Sequence, residues 1–384
     1  MNVLPIQHNS LVLDTSCGSG GFLLHALDKV RKEAGEYYTE GSADHYKHWH
    51  DFAEKNLFGI EINEQIARTA KMNMIIHDDG HTNVIACDGL LNDKDIQLRT
   101  RNQGFSYGKF DFIITNPPFG STIKQTESAY LHQYRMSAKE PDWLSKDWGS
   151  TVWLDTSTEK GKRPNQSTEV LFIEQCHRFL RDGGYLAVVV PDGILTNSSL
   201  QYVRDNIEEM YRIVAVVSMP QTAFAATGAG VKSSVLFLKK HSEKETERIR
   251  DAKEKLKNEI LEQSNYWKQN AKIQIAKKKH IKSLKGFELP AGVPLKELPK
   301  NEAFKEWKKS VNNLYAEQLN AVKEQLAEQW DKRRRTLAGD YDIFMAIADD
   351  IGYDATGKPT GTNELEFIGQ ELTRFISALE QDEA

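Results

Sequence analysis

Short apolar runs alternate with helical apolar stripes along the first two thirds of the chain. Leu11-Val12-Leu13 closes on an acid, Asp14; Thr15-Ser16-Cys17-Gly18-Ser19-Gly20-Gly21 follows, and Phe22-Leu23-Leu24-His25-Ala26-Leu27 opens a helical pattern. That order predicts a strand, a tight turn and a helix. Asn56-Leu57-Phe58-Gly59-Ile60 predicts a second strand ending at Glu61. Asn63 then caps a helix with Ile66, Ala70, Met74 and Ile75 among its apolar positions. Further strands are expected at Asn83–Cys87, closed by Asp88-Gly89, and at Phe110–Thr115, Tyr185–Val190, Ile213–Val217 and Val235–Leu238. Helices are expected over 169–180 and from about 199 to 210. The connection between the last two strands lacks a helical pattern, which predicts a hairpin with an antiparallel seventh strand.

These elements make residues 1–240 an α/β domain. Within it, 121–166 is a long polar and aromatic insertion. Tyr130, Tyr134, Trp143, Trp148 and Trp153 are interleaved there with Lys124, Arg135, Lys139, Lys146, Lys160, Lys162 and Arg163. Such a mixture suits phosphate contact and base stacking, and equally suits a solvated excursion with a few aromatics tucked in. From His241 the composition shifts to Lys, Glu and Gln. Residues 242–285 predict one long helix, and 286–299 a connector rich in Pro and Gly, so that 241–299 forms a second region. A third, helical region covers 300–384. Its first helix carries a stripe of Val311, Tyr315, Leu319, Val322, Leu326 and Trp330, suited to internal packing or a partner helix. Its last helix, 365–379, has Phe367, Ile368, Leu372, Phe375, Ile376 and Leu379 available for docking on the body.

Composition narrows the function. Lys and Arg number 50 against 55 Asp and Glu, a net charge of -5. A chain that held DNA alone over a long footprint would be more basic, so DNA affinity is expected to be shared with a partner. Cys17, Cys87 and Cys176 form neither a metal pair nor a disulfide framework, which fits a reducing cytoplasm. No secretory leader or spanning apolar run is evident, and no membrane association is expected. His45, His48 and His50 lack an accompanying carboxylate or cysteine framework and read as solvated surface. No metal is expected.

The chemistry concentrates at two turns. The glycine turn after the first strand lets the backbone approach a ligand and offers helix N–H groups to polar atoms. About a hundred residues later, Asn116-Pro117-Pro118-Phe119 ends the fourth strand. Two prolines stiffen that loop and turn it sharply out of the sheet, presenting the Asn116 amide and the Phe119 ring at the carboxyl edge, where ligands of such sheets bind.

Asp14 to Phe22 followed by Asn116 to Phe119 resembles the S-adenosylmethionine-dependent DNA adenine-N6 methyltransferases. The layout is most similar to the modification (M) subunits of type I restriction–modification systems. The usual glycine loop of that group reads Asp-Pro-Ala-Cys-Gly-Ser-Gly, and this chain has Thr15 and Ser16 in place of Pro and Ala. The segment from Ile351 to Leu365 resembles one near the carboxyl end of the same subunits. The resemblance implies a Rossmann-like, seven-stranded methyltransferase sheet with an antiparallel last strand, plus an α-helical carboxyl-terminal region.

It also implies roles. Asp14, Cys17, Gly18, Ser19, Gly20, Gly21 and Phe22 would cradle S-adenosylmethionine. Glu61 would accept from its ribose hydroxyls, Ile62 would pack on its adenine, and Asp88 with Gly89 would meet the adenine amino group. Asn116, Pro117, Pro118 and Phe119 would carry catalysis. Phe224 would help hold the target base, or simply pack under the hairpin. The implied partners are DNA, a specificity subunit, a second M subunit and a restriction subunit. M subunits usually have a helical domain before the glycine loop, whereas here only ten residues precede the strand; a fragment, an interrupted gene, or a second polypeptide supplying that part is expected. Two other readings stand beside this one: a protein glutamine-N5 methyltransferase, and a catalytically silent assembly subunit.

Overall fold

In the computed structural model, residues 2–77, 83–124, 131–138, 163, 165–225, 230–289, 294, 296–334, 336–337 and 339–383 are described. The elements run β1 (Val12–Asp14), α1 (Gly21–Tyr37), α2 (Ala43–Lys55), β2 (Leu57–Glu61), α3 (Glu64–Ile76), β3 (Asn83–Ala86), α4 (Asp93–Thr100) and β4 (Phe110–Thr115). Two short strands, β5 (Thr122–Lys124) and β6 (Asn165–Ser167), precede α5 (Thr168–Phe179) and β7 (Leu180–Pro191). Then come α6 (Gly193–Thr196), α7 (Gln201–Met210), β8 (Tyr211–Ser218), β9 (Ser233–Lys240), α8 (Glu243–Gln263), α9 (Tyr266–Ser283) and α10 (Glu302–Arg334). The chain ends with β10 (Phe344–Ile347), β11 (Ile351–Tyr353), β12 (Pro359–Asn363) and α11 (Glu364–Glu383).

Among the described residues, one mixed sheet has the order β10-β8-β9-β7-β4-β1-β2-β3. β1 pairs in parallel with both β2 and β4, and β9 runs antiparallel to both β7 and β8. All seven expected strands are present, and the hairpin with its antiparallel strand is as the pattern predicts. An eighth strand, β10, joins the edge parallel to β8, pairing Phe344 with Ala215 and Ile347 with Ser218. The sheet is buried on both faces, so successive residues enter opposite cores. In β7, Tyr185 and Ala187 enter one core while Leu186, Val188 and Val190 enter the other. The first core is built with Leu27 and Val30 of α1, Phe52 of α2 and Met74 of α3. The second is built with Val170, Ile173 and Phe179 of α5 and Ile207 and Met210 of α7.

The contacts divide the described residues differently from the composition. Residues 165–247 and 341–383 group with those up to 138, and 248–340 form a second unit. The carboxyl-terminal region is therefore not a separate helical piece. Leu372, Ile376 and Leu379 of α11 are 1%, 1% and 5% exposed in the first core, so this helix completes a layer of the sheet domain. Glu380 accepts from Lys239 Nζ at 2.6 Å and from the Tyr185 hydroxyl.

Within the second unit, the single long helix expected over 242–285 is broken. Asn265 adopts φ 51°, the left-handed region, and separates α8 from α9. Leu256, Ile260 and Leu261 of α8 and Tyr266 of α9 bury in one cluster with Leu326 and Trp330 of α10. The α10 stripe is thus used internally, and Arg333 pairs with Glu259 at 2.7 Å. Among the described residues no helix is long and apolar enough to cross a membrane.

If α11 is a core layer, Leu372→Ala should cost about 2–4 kcal/mol. Phe367→Ala, at a position 67% exposed on the same helix, should stay within about 0.5 kcal/mol of wild type. Urea titration of both variants decides it; equal, small losses would mean the helix is dispensable to the sheet.

Candidate functional site

The chain direction across the sheet reverses between β1 and β4: β2 and β3 lie to one side, β7 to the other. Ligands of open α/β sheets bind outside the strand ends at such a switch point. The glycine turn leaves β1 here and the Asn-Pro-Pro-Phe loop leaves β4. Gly20 sits at φ 89° as the residue before α1, a conformation a side chain would strain. Gly20 N donates to Cys17 O at 2.8 Å and Cys17 N to Ile60 O at 2.9 Å, which fixes the turn against β2. Asn73 of α3 donates to Ser19 O at 2.9 Å from the other side. Ser19 and Gly21 are exposed, and Phe22 is half-buried against the first core.

Glu61 ends β2 beside this turn. Gly18 N donates to its Oε2 at 3.1 Å and Asn63 N to its Oε1 at 2.8 Å. Two backbone donors therefore hold the carboxylate in one orientation. Ile62, 71% exposed, follows immediately. Asp88 and Gly89 end β3. A Cβ on Gly89 would stand 2.6 Å from Thr15 O, so only glycine allows this loop to lie on the glycine turn. Gln175 of α5 clamps the same loop, donating to Gly89 O at 2.9 Å and Leu91 O at 2.7 Å.

Asp14 is 2% exposed. Burial pushes its carboxyl up to about 7, against the Ser16 N–H and the Thr115 hydroxyl, with the Glu61 charge adding to the rise. Burial, with Asp14 and Glu61 nearby, also raises the Cys17 thiol and keeps it protonated. Thr115, the last residue of β4, ties the two turns together: its hydroxyl meets Ser16 Oγ at 2.8 Å and Thr15 Oγ1 at 3.1 Å. The two residues that depart from the usual glycine loop are the two that make this link.

Asn116 follows directly. Its Oδ1 is buried and has no hydrogen-bond partner among the described residues. Orphaned buried acceptors are uncommon and often mark a functional group. Pro117 is buried, Pro118 exposed and Phe119 half-buried. Thr168, at the start of α5, holds the loop by donating to Pro118 O at 2.8 Å. Thr115, Thr168 and Gln175 escape a reading of sequence, since each acts through a partner at least 47 residues away. The only local signal was a hydroxyl or amide at a strand end, a helix start or inside an apolar helix.

The structure therefore brings together Asp14, Cys17 to Phe22, Glu61, Ile62, Asp88, Gly89 and Asn116 to Phe119 at one edge of the sheet. Phe224 is half-buried, and its ring packs against the cluster of Ala223, Ala348 and Ile351. The insertion is also partly corrected. Tyr134 is 1% exposed and donates to Leu90 O at 2.6 Å and Gln175 Oε1 at 2.9 Å, so it serves the core and not a base stack. Arg135 pairs with Glu209 at 2.7 Å, and Arg163 lies 3.7 Å over the Tyr202 ring. Tyr130, Trp143, Trp148, Trp153, Lys139, Lys146, Lys160 and Lys162 lie outside the described residues.

A family model described as N-6 DNA Methylase matches residues 1–317. The methylase subunit of the type I restriction enzyme EcoEI from Escherichia coli is 25% identical over 230 residues, 60% of this chain and 38% of that protein. The type II restriction enzyme and methyltransferase RM.BcgI from Heyndrickxia coagulans is 24% identical over 246 residues, 63% of this chain and 30% of that protein. Among solved structures, the M protein of the type I restriction enzyme EcoKI matches with a TM-score of 0.41 at 22% identity, covering 63% of this chain and 42% of its own. The chain spans well under half the length of these relatives.

The Asp14 carboxyl carries a test of the site's electrostatics. Its folded value is raised, so its contribution to stability is fully present below the ordinary value of 3.8 and is lost as pH rises through about 7. Asp14→Asn should leave stability near pH 4 almost unchanged and raise it above pH 7, by on the order of 4 kcal/mol at most. Thermal melts at both ends of that window check the sign.

Proposed function

The chain belongs to the N-6 DNA methylase family, and on that premise we propose that it transfers the methyl group of S-adenosylmethionine to N6 of an adenine in DNA. We assign it the place of a modification subunit in a cytoplasmic type I restriction–modification complex, as in the relatives it matches. The observation that carries the reading is the unpartnered, buried Asn116 Oδ1, on a proline-stiffened loop beside a glycine turn and an oriented carboxylate.

The residues fit the cofactor. Nothing lies within 4 Å of where a Gly18 Cβ would stand, so the turn has an open face, and its φ of 53° favours glycine there. Glu61, with two lone pairs already satisfied by Gly18 N and Asn63 N, keeps others for a pair of vicinal hydroxyls. Ile62 offers an exposed apolar face to an adenine ring. When bound, S-adenosylmethionine supplies an electrophilic methyl on a sulfonium leaving group.

Adenine N6 is a poor nucleophile because its lone pair is delocalised into the ring. Asn116 Oδ1 and the Pro117 carbonyl oxygen accept its two N–H hydrogens and turn that lone pair out of conjugation. The oxygens are held in advance, so orientation and electrostatics supply the rate. A base within a duplex cannot reach this edge, so it is flipped out and stacks on the Phe119 ring. The chain between β5 and β6 leaves and returns beside this loop, and we assign it to DNA contact. A specificity subunit reads the sequence, and a second copy of this chain and a restriction subunit complete the complex.

Calorimetric titration of S-adenosylmethionine into the chain should give saturable binding. Glu61→Ala should weaken it by about tenfold or more, the worth of charged hydrogen bonds to hydroxyls. Absence of binding would leave an assembly role as the better reading. With a specificity partner and unmethylated DNA, Asn116→Ala should abolish methyl transfer while leaving cofactor affinity within about threefold of wild type. Near-normal turnover of that variant would remove Asn116 from the mechanism, and transfer to a protein glutamine would replace the acceptor.

A further inference from the structure

Among the described residues, the fold gathers one set of ligating side chains apart from the methyl-transfer site. His8 lies on the segment before β1, Glu33 near the end of α1 and His48 in α2. Their ligand atoms lie within 4.8 Å of one another. His8 Nδ1 is 3.2 Å from Glu33 Oε1, and His48 Nε2 is 3.5 Å from the same oxygen. In a tetrahedral zinc site with bonds of about 2.0–2.1 Å, neighbouring ligand atoms stand about 3.3 Å apart. Two edges of the cluster already match that spacing.

The groups are poised rather than spent. The His48 side chain is 9% exposed, and the atom it aims at the cluster, Nε2, has no hydrogen-bond partner among the described residues. Glu33 Oε2 is likewise buried and unpartnered. Leaving a buried imidazole nitrogen and a carboxylate oxygen unmatched costs free energy that a shared cation would remove. Lys29 feels the Glu33 charge at longer range, while its hydrogen bonds go to backbone carbonyls, Asn2 O and Leu4 O. Lys32 pairs with Asp28 at 2.8 Å.

We propose that His8, Glu33 and His48 bind one divalent transition metal, zinc by the chemistry of two imidazoles and one carboxylate. The ion is structural. It ties the segment before β1 to both α1 and α2, and α1 starts at the glycine turn. His45 and His50 take no part: the His50 ring stacks on Tyr46 at 5.0 Å, on the same helix.

The test uses the 384-residue chain, untagged and stripped with a chelator. Zinc chloride titrated by calorimetry should bind with one equivalent, and cobalt should give the visible absorption of a low-coordinate nitrogen–oxygen site. His48→Ala and the near-isosteric Glu33→Gln should each weaken zinc by about tenfold or more. Zinc should raise the melting temperature of the wild type and not of either variant. Circular dichroism confirms that the variants are folded, and Glu33→Gln keeps the test decisive if His48→Ala is not. No saturable binding by the wild type, or binding unchanged in Glu33→Gln, would overturn the proposal. S-adenosylmethionine affinity is measured in parallel, so failure here is distinct from failure of the methyltransferase reading.

Discussion

The Thr115 hydroxyl is the point on which the site depends. It meets Thr15 and Ser16 from a strand about a hundred residues later in the chain, and it also bonds the Asp14 carboxyl. One side chain thus fixes the spacing between the glycine turn and the Asn116 loop. In the proposed reaction, a methyl donor on one turn and an acceptor amine on the other would have to be held to within a fraction of an ångström, because misplacement by even 1 Å costs orders of magnitude in rate. A buried hydroxyl network is stiff enough for this, since each hydrogen bond lost there leaves an unmatched polar group. α5 supports the Asn116 loop and the Gly89 loop, through Thr168 on the Pro118 carbonyl and Gln175 on the Gly89 carbonyl.

The electrostatics of the site follow from its depth. Burial raises the cost of ionising Asp14, and the nearby Glu61 charge adds to it. Cys17 sits between them as an inert, protonated thiol. Such a corner favours a ligand that carries positive charge, because a cation relieves both carboxylates at once. Asn116 contributes the opposite device: a neutral carbonyl that is buried and unmatched, ready to accept.

The carboxyl-terminal residues show how far composition can mislead about domains. The Lys- and Glu-rich segment from 248 to 340 is a unit of its own, yet the residues after it return to the sheet. β10 extends the edge and α11 fills a layer of the first core. The hairpin of β11 and β12 is organised by Asp354, whose carboxylate accepts from Thr356 N, Thr356 Oγ1 and Lys358 N at 2.8, 2.7 and 3.0 Å. These bonds hold its carboxyl below the usual range.

The sequence by itself determined the seven strands, the antiparallel hairpin, and the glycine and Asn-Pro-Pro-Phe turns that meet at one edge of the sheet. Each of these rests on short-range physics: an apolar run buried on both faces, a glycine where a side chain cannot go, two prolines that end a strand. Only the tertiary structure decided the rest. Phe344-Met345-Ala346-Ile347 is too short and too exposed to announce a strand; it becomes one because β8 offers an unpaired edge. Asn265 breaks a charged helix because packing Leu256 and Ile260 on Trp330 outweighs continuity. Tyr134 goes to the core because Gln175 and the Leu90 carbonyl await its hydroxyl there. His48 meets His8 and Glu33 because α1 and α2 fold back on each other beside the start of the chain. Periodicity and turn chemistry act between neighbours in sequence; strand edges, cores and ligand clusters form between residues that only the fold makes neighbours.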